Sequence, residues 1–156
     1  MEIIICDEFY VADIAYLESL YFSRPWQYSD IKDAMRNDHI FFGAIDLARN
    51  LHGYGAFKMV LGEAYVDNIV VDEKYRKKGV ATAIINKMIE YCIEHRASFI
   101  TLEERESNTT AISLYEKMGF EKVGVRKNFY SAPTENAILY TLQLKEGPKW
   151  IISSYQ

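Results

Sequence analysis

Chemistry that depends on thiol pairs or soft metal ligands has little to work with in this sequence. Two cysteines, Cys6 and Cys92, stand in separate apolar contexts, and three histidines, His39, His52 and His95, are scattered, so there is no CxxC and no Cys/His cluster. The cysteines read as buried free thiols, and no metal site is expected. No apolar run approaches the roughly 20 residues that cross a bilayer, and the opening MEIIICDEF lacks the basic start and apolar core of a signal sequence. A cytoplasmic protein with no membrane partner is expected. Excess positive charge is missing too: 18 Lys and Arg against 22 Asp and Glu leave a formal charge of −4, so direct contact with nucleic acid is not expected. There is no internal repeat or low-complexity tract, and 156 residues suit one domain with a sizeable core.

What is present alternates between strand and helix patterns. EIIIC reads as a first strand, and VADIAYLESLYF puts Ile14, Leu17 and Tyr21 at helical spacing. The chain breaks at Pro25, and a short helix is expected to restart with Ser29 as its N-cap. IFFGAID and GYGAFKMVL flank the polar turn LARNLH, the pattern of a hairpin whose Phe41, Phe42, Tyr54 and Phe57 are core candidates. After the strand EAYVDNIVVD comes a helix with one apolar stripe (Ala81, Ile84, Ile85, Met88, Ile89, Cys92) and an opposite face of Asn86, Lys87, Glu90 and Glu94. SFITLE then returns as a strand, so Ala64 to Glu103 has the length a right-handed parallel crossover needs.

SNTTAISLYEKMGF carries its own start and stop signals. Ser107 or Asn108 caps the helix, Gly119 suits the left-handed position past its end, and Ala111, Leu114, Tyr115 and Met118 share the buried face. EKVGVR and AILYTLQL supply two final strands joined by the loop KNFYSAPTEN. Residues 145–156, KEGPKWIISSYQ, read as a tail appended to a domain of residues 1–144. This order predicts an α/β fold: a central mixed sheet with helices on both faces.

The stretch VDEKYRKKGVATAII, Val71 to Ile85, gathers Arg76, Lys77 and Lys78 in a turn that runs straight into a helix. A helix start presents backbone N–H groups without partners and the positive end of the dipole, so anions bind there. Gly79 lets the backbone approach closely and Ala81 avoids bulk. GxxxxGK[ST] and GxGxxG are both absent, which leaves a pyrophosphate that is held but not cleaved as the fitting anion. The plainer alternative is a solvated charged turn that only caps its helix.

R-x-x-G-x-A after NIVVD resembles the acyl-CoA pyrophosphate loop of the GNAT N-acetyltransferase superfamily. LEERESNTTAISLYEKMGFEKVGVRKNFYSAPTENA resembles the L-E-x-R-x-S-N-x-x-A-x-x-L-Y-x-x-x-G-F-x-x-x-G-x-R-x-x-Y-Y…E-D-A signature of its RimI family, which acetylates ribosomal protein N-termini. The resemblance runs to about Leu144, includes the RPW of Arg24 to Trp26, and is strongest from Asn68 to Ala137. Phe129 replaces the first of two tyrosines and Asn136 replaces an aspartate.

The resemblance implies an acyl-CoA N-acyltransferase fold and transfer of acetyl from acetyl-CoA, with no metal, to a protein α-amine. The implied acceptor is the N-terminal alanine of protein eighteen of the small ribosomal subunit. Another N-terminus, a lysine, a small amine, or acetyl-CoA binding without turnover are the alternatives. It further implies that the backbone of Ile69, Val70 and Val71 pairs with the pantetheine arm. Arg76, Lys77, Lys78, Gly79, Val80, Ala81 and Thr82 would take the pyrophosphate, and Asn108 would contact the cofactor. Glu103 is implied as general base and Tyr115 as general acid, with Trp26 and Tyr130 walling the peptide groove. Adjacent strand residues face opposite ways, so only one of Glu103 and Glu104 can look into the site; periodicity leaves this open, and the family pattern selects Glu103. A tyrosine on a buried helix stripe is otherwise a core residue with its hydroxyl tied to an acceptor.

Overall fold

Seven strands form a mixed sheet in the hydrogen-bonded order β1-β2-β3-β4-β5-β7-β6 in the computed structural model, which describes residues 1–144. The strands are β1 Glu2–Ile5, β2 His39–Ile45, β3 Leu51–Val60, β4 Glu63–Val71, β5 Phe99–Arg105, β6 Glu121–Tyr130 and β7 Glu135–Gln143. The helices are α1 Val11–Tyr21, α2 Tyr28–Asn37, α3 Val80–Glu94 and α4 Thr109–Lys117. β4 and β5 are parallel, as the crossover through α3 requires, while β1/β2, β2/β3, β5/β7 and β6/β7 are antiparallel. The tail expected at residues 145–156 lies outside the described residues. The chain forms two compact units: 1–59 with 67–91, and 60–66 with the chain from Cys92 onward.

In the first unit the hairpin β2/β3 is covered on both faces, which is why its strands read as near-continuous apolar runs. Phe41, Ile45, Tyr54 and Ala56 pack with Ile14 and Leu17 of α1 and Ile31 of α2. Phe42 and Phe57 stack on the other face and meet Tyr91 of α3 edge-on. Each buried ring removes enough apolar area from water to stabilise the fold by roughly 1.5–3 kcal/mol. α3 crosses so near that a Cβ on Gly55 would overlap the terminal methyl of Met88 and stand 2.8 Å from Ile84 Cγ2, so any larger residue there would displace these α3 side chains. One expected boundary changes: α2 begins at Tyr28, and its cap is Gln27 rather than Ser29. The Gln27 N–H donates to Asp30 Oδ2 at 2.8 Å, so the carboxylate three residues on satisfies the helix start that Ser29 was expected to satisfy.

In the second unit α4 begins as expected with Asn108, whose Oδ1 accepts from Ala111 N at 3.3 Å. It ends on Gly119 at φ +98°, with Gly119 N donating to Glu116 O and Phe120 N to Tyr115 O, the paired bonds of a Schellman ending. The expected loop KNFYSAPTEN shrinks to residues 131–134, because β6 continues to Tyr130 and β7 starts at Glu135. A register irregularity between Arg126 and Tyr130 absorbs the polar residues: Asn128 takes φ +54°, and its N–H donates to Asn136 Oδ1 at 3.0 Å.

Candidate active site

The turn before α3 is built from the end of β4. Asp72 caps a single 3-10 turn, Glu73–Tyr75, by accepting from Lys74 N at 3.1 Å. The chain then takes left-handed backbone at Lys77 (φ +61°) and Gly79 (φ +79°) and enters α3 at Val80, whose first intrahelical bond is Ala83 N to Gly79 O at 3.0 Å. The amides of Val80, Ala81 and Thr82 precede that bond and have no partner within the helix. A Cβ built on Gly79 would meet nothing within 4 Å, so this face of the turn is open.

The cations of the turn do different work. Arg76 folds back as a brace: Nε donates to Val71 O at 2.9 Å and the guanidinium lies 4.6 Å from the centre of the Tyr21 ring. Lys78 leans on Tyr75, which itself stacks on His52 at 3.9 Å. Lys77 and Lys78 are exposed beside the free amides, whereas Val70 and Val71 bury their side chains and leave only backbone to offer a ligand.

Trp26 sits half-buried after α1, edge-on to His39 and Phe41. Its N–H donates to Glu18 Oε2 at 3.2 Å. Glu18 is 1% exposed and also accepts from the Tyr54 hydroxyl and from Asn68 Nδ2, the latter at 2.7 Å. Burial raises its carboxyl above the ordinary range, against these bonds. The sequence reading passed over Glu18, although the signal exists: Ile14, Leu17, Glu18 and Tyr21 follow i, i+3, i+4, i+7, which places a carboxylate inside an apolar stripe.

In the second unit the end of β5 presents Glu103 and Glu104 on opposite faces. Leu102 stands opposite Tyr140 of β7 and Glu104 opposite Ile138, so these four share a face. Tyr115 of α4 packs its ring on Tyr140 at 6.3 Å, on that same face. Glu103 lies on the other face, where Oε1 pairs with Arg126 Nη1 at 3.2 Å. The structure therefore brings Tyr115 together with Glu104, and leaves Glu103 across the sheet from it.

Glu104 Oε1 accepts from Asn108 Nδ2 at 2.5 Å, so the capping side chain of α4 also holds the carboxyl. Burial pushes that carboxyl up to about 7. The Tyr115 ring is 5% exposed, and burial followed by the Glu104 charge raises its hydroxyl well above the ordinary phenol range. No described residue hydrogen-bonds that hydroxyl. Tyr130, also raised by burial and by Glu104, lies under the Arg105 guanidinium at 4.5 Å. Arg105 in turn donates to Ser131 O, Pro133 O and Glu135 Oε2 at 3.1–3.2 Å. Phe129 is 47% exposed, edge-on to Tyr130. Among the described residues no group of three or more His, Cys, Asp or Glu could hold a metal, and no helix is long and apolar enough to cross a membrane.

The start of α3 presents amides without helical partners, and in the second unit the buried Tyr115 ring carries a hydroxyl that no described residue engages. Residues 5–120 match the Acetyltransferase (GNAT) family, and the chain belongs to it. The [ribosomal protein bS18]-alanine N-acetyltransferase of Haemophilus influenzae is 31% identical over 123 residues, 77% of this chain and 83% of that protein. The crystal structure of the ribosomal-protein-alanine N-acetyltransferase from Escherichia coli superposes with a TM-score of 0.85 at 24% identity, covering 95% of this chain and 96% of that one. Arabidopsis thaliana NAA60 in complex with acetyl-CoA gives 0.84 at 19% identity, covering 92% and 98%. The two structures show a shared fold.

Proposed function

We propose that this acetyltransferase moves the acetyl group of acetyl-CoA to the α-amine of a protein N-terminus in the cytoplasm, with the alanine of ribosomal protein bS18 as acceptor. The observation that carries the chemistry is the Tyr115 hydroxyl, which no described residue engages although its ring is buried: a core tyrosine would have its oxygen tied to an acceptor. The acceptor is read from the bS18-alanine activity named for the Haemophilus influenzae relative. An α-amine titrates at about 7.7–8.0, against about 10.4 for lysine, so a useful neutral fraction exists near pH 7.

In this reading the amides from Lys77 to Thr82 hold the pyrophosphate of acetyl-CoA, with Lys77 and Lys78 adding charge and Arg76 bracing the turn. The backbone of Ile69, Val70 and Val71 pairs with the pantetheine arm, and Asn108 adds a contact to the donor. The neutral amine attacks the thioester carbon, forming the C–N bond. Glu103, on the opposite face of β5 from Tyr115 and paired with Arg126 Nη1 at 3.2 Å, takes the surplus proton from nitrogen. The C–S bond breaks, and the departing sulfur takes the Tyr115 proton. Trp26 and Tyr130 flank the acceptor peptide. The test is mass spectrometry of peptides that differ only at residue one, beside a lysine peptide with a blocked N-terminus. Acetylation centred on N-terminal alanine supports the reading, and preferential lysine acetylation overturns it.

A further inference from the structure

We propose that Glu104 is a positioning residue for the proton donor: its carboxyl, held by Asn108 on the sheet face that carries Tyr115, decides by its own charge whether the Tyr115 hydroxyl releases a proton to the departing sulfur. This deepens the reading above and rests on Tyr115 being that donor.

Ile100 and Leu102, the preceding residues on this face of β5, are 1% and 4% exposed, so the strand places a carboxyl at the end of an apolar row. α4 supplies the neighbours of that carboxyl: Asn108, which donates to it at 2.5 Å, and Tyr115, two turns further along the same helix face. β6 contributes the Tyr130 phenol, and the start of β7 contributes Glu135, a second negative charge. Among the described residues the one cation acting on it is Arg105 of the same strand, and its guanidinium is committed to Ser131 O, Pro133 O, Glu135 and the Tyr130 ring. An ionised Glu104 thus has, among the described residues, one strong hydrogen bond and no ion pair. Its carboxyl is pushed up to about 7, so both forms exist near neutrality.

The two forms act differently on Tyr115. When the sulfur takes the phenolic proton, a phenolate is left until solvent returns a proton. Beside an ionised Glu104 that phenolate is a second negative charge in one low-dielectric setting; beside a neutral Glu104 it is the first. Among the charged groups acting on both tyrosines, Glu104 is foremost. Proton release is therefore open while Glu104 is neutral and closes as it ionises.

The experiment is kcat against pH from 5.5 to 9 at saturating acetyl-CoA and peptide for the parent, Glu104→Gln, Tyr115→Phe and the double variant. Glutamine keeps the oxygen that Asn108 bonds, and its circular dichroism and acetyl-CoA Kd check that fold and donor site persist. The expected parent profile rises with amine deprotonation and carries a descending limb with its midpoint near 7, approaching about tenfold per pH unit. Glu104→Gln should abolish the descending limb, and in the Tyr115→Phe background it should change nothing further. A descending limb that persists in Glu104→Gln overturns the proposal. So does loss of the rising limb in that variant, which would make Glu104 the base. If Tyr115→Phe keeps the parent rate at every pH, the donor reading itself fails; if Tyr115→Phe is slow and Glu104→Gln keeps the limb, only the Glu104 proposal fails.

Discussion

Replacing Glu104 with glutamine should change how stability responds to pH, and the size follows from its site. The carboxyl ordinarily titrates near 4.5 and is pushed up to about 7 by burial. Between these values the folded chain keeps a proton that the unfolded chain has released. Unfolding then releases a proton, so stability falls as pH rises through this window, and the whole penalty is present above pH 7. Each tenfold change in proton affinity is worth about 1.36 kcal/mol, which sets a ceiling of ~3 kcal/mol for this carboxyl. Glutamine does not titrate and keeps the acceptor for Asn108 Nδ2, so the variant escapes the penalty without losing the bond. Urea unfolding of parent and variant at pH 4.5 and pH 8 isolates the effect, because the other titrations are common to both proteins and cancel in the difference. The variant should gain on the parent between the two pH values by up to that ceiling, with equal denaturant slopes. A constant offset, or a gain by the parent at pH 8, would refute a half-buried carboxyl with raised proton affinity.

Gly79→Val should raise the acetyl-CoA KM by about tenfold, or ~1.4 kcal/mol of binding, because a β-branched residue resists φ +79° and crowds the open face of the turn; unchanged binding in calorimetry would remove the pyrophosphate from this loop. Tyr115→Phe should cost stability no more than about one hydrogen bond, roughly 0.5–1.5 kcal/mol, yet slow single-turnover transfer by about 10²-fold. A folded, donor-binding variant that transfers at the parent rate would return Tyr115 to the core. Glu103→Gln should lower kcat more than donor affinity and recover at high pH, where the amine loses its proton unaided; a pH-independent loss would argue against its role as base.

The parts of the fold set by local chemistry were legible in the sequence. The aromatic hairpin, the α3 stripe and the Asn108 to Gly119 limits of α4 each rest on spacing or on a residue with one conformational use. What escaped depended on which partner a polar side chain takes, near or far along the chain. Ser29 was a reasonable cap until Asp30 reached back to Gln27. The Asn128 to Asn136 bond kept polar residues inside a hairpin that composition assigned to a loop. Glu18 stood in an apolar stripe, but its need for Tyr54 and Asn68 is visible only once β3 and β4 are in place. The choice between Glu103 and Glu104 was open to periodicity because a strand gives two faces without saying which one a later helix will cover. Packing of Tyr115 on Tyr140 decides which carboxylate it meets, whereas the base role carried by resemblance stays with Glu103 and is tested by its glutamine variant.

The way Arg105 holds residues 131–134 has a consequence for how such an enzyme changes over time. The anchor lies outside the loop, on a strand, and what it grips inside the loop is backbone: the carbonyl oxygens of Ser131 and Pro133. Every residue type carries that oxygen, so the grip itself asks nothing of the Ser131 side chain, provided the fork of the guanidinium is kept; lysine, a point charge, could not span the same contacts. Mutational drift can thus rewrite the lettering at Ser131 while the mounting of the loop stays in register. Substitutions at Ser131 should leave amide hydrogen exchange in the loop near the parent's, whereas Arg105→Lys should quicken it.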